Sequence, residues 1–436
     1  MLWCGKVSKD YFCLNYKISV QRFLYHLFSG LYPFAIKLAS PFNNKAKLWV
    51  KGRENVLKKM KSVIKREDQI IWMHCSSLGE FEQGRPVLEK LKDHYTSYKI
   101  LLTFFSPSGY EVRKNYTGAD YIFYLPADSS KNARTFYDTI NVKLIIFVKY
   151  EFWYYYLQEA RKRNLPLLLI SAIFRKEQPF FSRHGAFHRS MLSCFTHLFV
   201  QNEQSVLLLK RIGFNENVTL SGDTRFDRVI EIAEQAQSNL LIENFCANSS
   251  VIVAGSTWLE DDKELAHYVN TRSSIKFIIA PHNIDLSRLD ECKTLYKKSI
   301  FYSSLNASTS TENINTIIVD NVGMLSSLYK YSTISYIGGG FGEDGVHNVL
   351  EAAVYGKPVV YGPEYEKFIE ASELIECGGG VSINNALELE STFDHLLTNQ
   401  ADFDQRSQAS AKYVYSKQGA TEKILDFIYK NRLLTN

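Results

Sequence analysis

From about residue 70 onward the chain alternates between two hydrophobic rhythms. Short runs rich in β-branched and aromatic residues, at 70–75, 99–105, 121–125, 144–148, 167–171, 198–201 and 218–220, read as strands. Segments of helical period, for example 81–94 and 152–164, lie between them. This alternation predicts a parallel sheet with helices on both faces. The rhythm pauses over 223–249, a polar and largely helical stretch, and resumes with strands at 251–254, 276–280, 316–319, 334–337 and 359–361. The expectation is an α/β fold of two Rossmann-like, doubly wound domains facing a cleft, with ligands beyond the carboxyl ends of the strands. The predicted organisation is an arm over 1–66, a first domain over 67–222, a second over 223–410 and a closing helix over 411–436. The length agrees, because 436 residues exceed the roughly 250–300 that one core supports.

The arm has its own pattern. Leu24, Leu27, Phe28, Leu31, Ala35 and Leu38 recur at helical spacing, which predicts an amphipathic helix over 23–38. The uncharged run between Arg22 and Lys37 is 14 residues, shorter than the ~20 needed to cross a bilayer. A helix lying in the headgroup region fits this pattern, and so does an ordinary helix packed on the body. No cleavage site of a signal peptide follows the apolar run.

Charge sharpens the choice. The net charge of +5 divides into 14 Lys/Arg against two acids over residues 1–66, and 37 against 44 over the rest. A basic arm on a mildly acidic body points to an anionic surface. The body offers no basic groove, so nucleic acid is not expected as a partner. Seven cysteines are scattered without a C-x-x-C pair, which argues against a disulfide framework or a zinc site. No cofactor and no metal are expected, and no D-x-D metal motif is recognised.

The distinctive residues follow strands. Ser77-x-x-Glu80 is a capping-box spelling; equally, Glu80 is a carboxylate able to take a proton from a hydroxyl nucleophile. Ser106-Pro107-Ser108-Gly109 is a small-residue turn. Glu151, between aromatics in Tyr150-Glu151-Phe152-Trp153, is either a helix-start acid or a site group. Arg225, in Gly222-Asp223-Thr224-Arg225, is either half of an ion pair or a phosphate binder. Gly255-Ser256-Thr257 precedes a helix start that suits phosphate, while Thr257-x-x-Glu260 again spells a capping box. Pro281-His282 ends a strand. The stretch from Gly338 to Glu351 holds a literal G-x-G-x-x-G at 340–345. It lies too late in the chain, before too short a helix, for a dinucleotide site. It reads better as a glycine loop admitting a ligand, with Asn348 and Glu351 presented behind it.

Together these segments resemble the 3-deoxy-D-manno-octulosonic acid (Kdo) transferases of lipopolysaccharide synthesis, which are GT-B glycosyltransferases. The shared motifs are W-x-H-x-x-S-x-G-E (Trp72 to Glu80), T-x-x-[ST]-P-[ST]-G (Thr103 to Gly109), E-x-W (Glu151 to Trp153), G-[DN]-x-[KR]-F-D (Gly222 to Asp227), G-S-T (Gly255 to Thr257) and G-G-x(n)-H-N-x-x-E (Gly338 to Glu351). Six motifs in order span about residues 22–430; residues 1–20 precede the usual family start. The resemblance implies that Glu80 is the general base and that Glu151 and Arg225 stabilise the transition state. It implies a CMP site at Pro281, His282, Val322, Gly323, Met324, Asn348 and Glu351, with Glu351 on the ribose and with Ser256 and Thr257 near the phosphate. Many members carry Arg where His282 stands, Glu where Met324 stands and Lys where Arg225 stands.

The reaction so implied is single displacement with inversion, from CMP-Kdo to a hydroxyl of a lipid A precursor. Its place is the cytoplasmic face of the bacterial inner membrane, with phosphate charge met by protein groups rather than Mg²⁺. Another GT-B nucleotide-sugar transferase is one rival. A non-catalytic, nucleotide-binding peripheral membrane protein is a second.

Overall fold

The computed structural model describes residues 4–435, with side chains from Val20 onward. Cys4, Cys13 and the first lysines of the basic arm therefore have side chains outside the described part. The chain divides into two compact units: residues up to Arg225 together with those from Gly419 on, and Phe226–Gln418. The division falls inside one helix, Thr224–Gln235.

The first unit is built on β1 (Gln69–Cys75), β2 (Lys99–Phe104), β3 (Tyr121–Tyr124), β4 (Asn141–Val148), β5 (Leu167–Ala172), β6 (His197–Val200) and β7 (Val218–Leu220). They form one sheet in the order β3-β2-β1-β4-β5-β6-β7, parallel throughout. Side chains alternate across it. Ile70 and Trp72 enter the core on one face, and Ile71, Met73 and Cys75 enter the core on the other. The closing helix Ala420–Lys430 belongs to this unit, where Phe427 lies 4.1 Å from the His197 ring.

The second unit repeats the plan with β8 (Val251–Thr257), β9 (Lys276–Pro281), β10 (Ser299–Phe301), β11 (Thr316–Ile318), β12 (Ile334–Ile337), β13 (Val359–Tyr361) and β14 (Gly380–Ser382). Their order is β10-β11-β9-β8-β12-β13-β14, again all parallel. Two doubly wound α/β units of this kind are the GT-B fold class. Neither β10 nor β14 is expected from the hydrophobic rhythm. Both are three-residue strands at a sheet edge, and β14 begins in Gly378-Gly379-Gly380, so neither supplies an apolar run to read.

The arm is helical. Helix α1 (Cys4–Ala39) is followed by α2 (Asn44–Arg53) and α3 (Val56–Val63). α1 docks on its own unit through polar aromatic residues. Tyr25 donates to Asp128 at 2.5 Å, His26 meets Tyr155 at 2.7 Å, and Tyr32 stacks on Phe105. The apolar residues at helical spacing point the other way: Phe23, Leu24, Leu27, Phe28, Leu31, Phe34 and Leu38 are all exposed. Arg53 locks α2 in place, donating to the carbonyls of Leu125 and Phe105 and lying 3.9 Å over the Trp49 ring.

Candidate active site

In the first unit the strand order reverses between β1 and β4, the point at which doubly wound sheets open their loops for ligands. β1 feeds helix α4 (Leu78–His94), whose first turn carries Glu80. β4 runs through Lys149, in the left-handed region at φ 67°, to Glu151 and Trp153. α4 lies close on the sheet because residue 84 is glycine. A Cβ there would stand 2.8 Å from Met73 Sδ and 2.9 Å from Val148 Cγ2.

Glu80 does what a capping carboxylate does: it accepts from the N–H groups of Ser76 and Ser77 at the helix start. Ser77 does not return the favour with its own side chain, so half of the expected box is formed. Burial, then the charge of Glu151, push the Glu80 carboxyl up to about 8. The two N–H bonds and Lys149 oppose this without overcoming it. Such a group can hold or release a proton near neutral pH, which suits a general base.

Glu151 is buried. It meets His74 Nε2 at 3.0 Å and accepts from Trp153 Nε1. His74, fully buried in β1, places Nδ1 2.8 Å from Thr103 Oγ1, and that oxygen accepts from Trp72 Nε1 at 2.8 Å. Arg225 grips Asp223 through Nε at 2.9 Å and a terminal nitrogen at 2.8 Å, so the ion-pair alternative is realised here. Its neighbour Thr224 is fixed by Ser171 at 3.1 Å and donates to the Gln83 carbonyl of α4.

In the second unit the order reverses between β8 and β12, and the motifs again collect there. A bulge at the end of β8 puts Ser256 in the left-handed region at φ 55°. Thr257 is fully buried, and its Oγ1 meets no hydrogen-bond partner. Such an orphaned hydroxyl is expensive unless a ligand supplies the missing bond. The following helix is Leu259–Thr271 with Trp258 as N-cap, and the capping acid is Asp261, not Glu260. Asp261 accepts from the N–H of Trp258 and of Gly339, both at 2.8 Å, and so ties the helix start to the glycine loop. With Glu260, Asp261 and Asp262 all in that first turn, the anion-binding groups left are the Ser256–Thr257 backbone and the Thr257 hydroxyl.

The glycine loop is required by close packing. Gly339 has φ +93°, and a Cβ there would lie 2.4 Å from the Gly345 carbonyl oxygen; one on Gly338 would lie 2.4 Å from that of Ser256. Pro281 closes β9, and the His282 N–H bonds Thr257 O at 2.9 Å. The His282 ring is stacked between Trp258, at 4.6 Å, and His347, at 4.4 Å. Trp258 Nε1 donates to His347 Nε2 at 2.9 Å. Burial lowers both imidazoles, His347 to about 4, so the stack is uncharged at neutral pH. Asn348 donates to Glu351 at 3.0 Å in front of the four-residue helix Leu350–Ala353. Val322 is exposed, Gly323 turns at φ +98°, and Met324 precedes the short helix Leu325–Leu328.

His74, Thr103, Trp153, Trp258, Asp261 and His347 are the residues that motif reading alone leaves without roles. The signal for His74 is its position two residues from Trp72, on the same face of β1. Asp402-Phe403-Asp404 spells D-x-D, but it lies in helix Gln400–Tyr415, with Asp402 paired to Arg406 and Asp404 to Gln400.

Residues 51–228 match the family described as 3-deoxy-D-manno-octulosonic-acid transferase (kdotransferase). The 3-deoxy-D-manno-octulosonic acid transferase of Aquifex aeolicus is 28% identical over 336 residues, covering 75% of this chain and 86% of that protein. The transferase of the same name from Haemophilus influenzae is 24% identical, covering 83% and 86%. The chain is thus similar to Kdo transferases over most of its length. A bifunctional glycosyltransferase/methyltransferase of Fusobacterium nucleatum is 27% identical over 74% of this chain, which spans only 52% of that longer relative. Among solved structures, the UDP-GlcNAc 2-epimerase of Neisseria meningitidis superposes with TM-score 0.58 at 16% identity, over 83% of this chain and all of that one. Acinetobacter baumannii MurG superposes with TM-score 0.52 at 12% identity, over 83% and 99%. These likenesses establish the fold.

Proposed function

We propose that this chain transfers Kdo from CMP-Kdo to a hydroxyl of a lipid A precursor, lipid IVA, in lipopolysaccharide inner-core synthesis. The observation that carries the reading is Glu80. It is a carboxylate at the switch point of the first sheet, raised to about 8 by burial and by the charge of Glu151. Similarity to Kdo transferases suggests the sugar, and the second unit has a cradle of suitable chemistry for a nucleotide. That cradle combines an unpartnered Thr257 hydroxyl, a glycine loop without room for a Cβ, and the Asn348–Glu351 pair, whose carboxylate can accept from a ribose diol.

In the proposed step Glu80 takes the proton of the acceptor hydroxyl as its oxygen bonds the anomeric carbon. The bond from that carbon to the CMP phosphate oxygen breaks on the opposite face, so configuration inverts. Arg225, shared between Asp223 and the donor, and the Ser256–Thr257 backbone stabilise the departing phosphate. Fixed donors and charges of this kind act most strongly where charge develops. The exposed apolar residues of α1, with Lys37, Lys45, Lys47 and Lys51 behind them, hold the enzyme on the anionic inner leaflet where the acceptor resides. No described helix is long and apolar enough to cross a membrane; the attachment proposed is to the surface.

The deciding experiment measures CMP release from CMP-Kdo with a tetra-acylated lipid A precursor, for wild type and Glu80→Gln. Lipid-dependent release that collapses in the variant, with CMP binding retained, is the expected result. Release undiminished in Glu80→Gln would reduce Glu80 to a helix cap. No release by wild type, with tight CMP binding, would point to another acceptor or to a binding protein.

A further inference from the structure

The contacts behind Glu151 form a directed chain across β2, β1 and the loop after β4. Trp72 Nε1 can only donate, so Thr103 Oγ1 accepts from it at 2.8 Å. The threonine O–H is then free to donate to His74 Nδ1, also at 2.8 Å. With Nδ1 accepting, the ring proton sits on Nε2, 3.0 Å from Glu151 Oε2. The other neutral tautomer would let Nε2 accept from Trp153 Nε1, 3.0 Å away, but that N–H already serves Glu151, and a ring lone pair would then face the carboxylate while the Thr103 hydroxyl lost its acceptor on the ring. A second proton on Nδ1 would add a bond to the Thr103 carbonyl at 3.1 Å and leave the Nε2–H in place. The ring cannot swing away, because Phe147 lies 5.3 Å and Trp153 6.5 Å from it, centroid to centroid.

We propose that His74 is a positioning residue, which presents a fixed Nε2–H to Glu151 and so holds that carboxylate's charge beside Glu80. The proposal deepens the transferase reading and rests on it for its effect on turnover. Around Glu80 stand Lys149 and Tyr150 from the β4 loop, Cys75 at the end of β1, and the N–H groups of Ser76 and Ser77. Glu82 on α4 acts on Cys75. Of the groups in this cluster, Glu151 is the one that accepts from His74.

The test reads the site directly in the full-length protein. In histidine-labelled wild type, ¹⁵N NMR is expected to find His74 Nε2 protonated; a proton on Nδ1 alone would overturn the proposal. A ¹³C titration of the Glu80 carboxyl then compares wild type with His74→Phe, His74→Gln and Thr103→Val. In His74→Phe the Glu80 midpoint is expected to fall by about one pH unit, because Glu151, left with the Trp153 N–H and without the Nε2–H of His74, turns away from Glu80. His74→Gln, which keeps an N–H for Glu151, restores the wild-type midpoint. An unmoved midpoint in folded His74→Phe overturns the proposal. Should that variant not fold, the nearly isosteric Thr103→Val, expected to shift in the same direction, decides instead. In the CMP-release assay His74→Phe is expected to lose about 100-fold in kcat, as a misplaced catalytic group does, with KM for CMP-Kdo unchanged and recovery in His74→Gln. The spectra need no turnover, so an inactive wild type would overturn the reaction while the spectra still settle the role of His74.

Discussion

Glu80 serves two uses that pull against each other. As a cap it accepts backbone N–H groups, which favours the ionised form; as a buried group beside Glu151 it is driven toward the protonated form, and the second effect wins. The pH dependence follows in sign. A base works only when deprotonated, so kcat/KM is expected to rise with pH through about 8 and then level off. Glu80→Gln should remove that limb and cost about 10²–10⁴-fold, measured as CMP release across pH 5 to 10. Stability should respond oppositely. An unfolded Glu loses its proton near 4.3, while the folded one keeps it to about 8. Between those values the native state binds the extra proton, so the contribution of Glu80 to stability falls as pH rises through that window. Glu80→Gln is therefore expected to raise Tm at pH 9 by a few degrees, roughly 1 kcal/mol, and to leave it unchanged at pH 4. A Tm difference independent of pH would mean that the carboxyl is not held protonated.

Helices and loops impose demands that single residues do not show. α1 is fastened by Tyr25, whose hydroxyl reaches the buried Asp128 at 2.5 Å. Tyr25→Phe should cost about 1–3 kcal/mol, because a buried carboxyl loses a donor; thermal unfolding checks this. Leu27→Asp with Leu31→Asp, on the exposed side of α1, should leave Tm nearly unchanged while greatly weakening retention on vesicles. Equal retention would remove the membrane role from that face. Gly339→Ala tests the glycine loop: at φ +93° with a backbone oxygen 2.4 Å from the new Cβ, the loop must move, and CMP binding by calorimetry should be lost. Much of this was legible beforehand. Short β-branched and aromatic runs between segments of helical period located twelve of the fourteen described strands, and a carboxylate placed shortly after a strand marked Glu80 and Glu151. What stayed hidden has physical reasons. The bulge at Ser256 moves the helix start by one residue, and no periodicity records it, so Thr257-x-x-Glu260 passed for the cap that Asp261 places on the Trp258 N–H. Trp72 and His74 alternate inward like any core pair of a parallel strand, and only the contact with Thr103 across β1 and β2 separates a relay from packing.

At the scale of the molecule, the charge is sorted by region. The first 66 residues hold 14 basic side chains against two acidic ones, while the remaining 370 are net acidic. Each Lys or Arg near an anionic bilayer contributes about 1 kcal/mol. The exposed apolar residues of α1 add a term that salt does not screen. These two parts should separate experimentally. Retention on vesicles containing anionic lipid is expected to fall steeply between 0.05 and 0.5 M NaCl, where the screening length shortens from about 14 Å to about 4 Å, and to level off at a residue carried by α1. On purely zwitterionic vesicles only that salt-insensitive residue should remain. CMP binding should vary far less with salt, because the site proposed for the nucleotide at β8 and β12 offers directed hydrogen bonds rather than a diffuse basic surface. Co-sedimentation and calorimetry on the same preparation make the comparison. If salt weakens both equally, the nucleotide site is itself governed by long-range charge and the basic arm is no separate membrane device. If anionic lipid brings no gain over zwitterionic lipid, the arm's charges face something other than a bilayer.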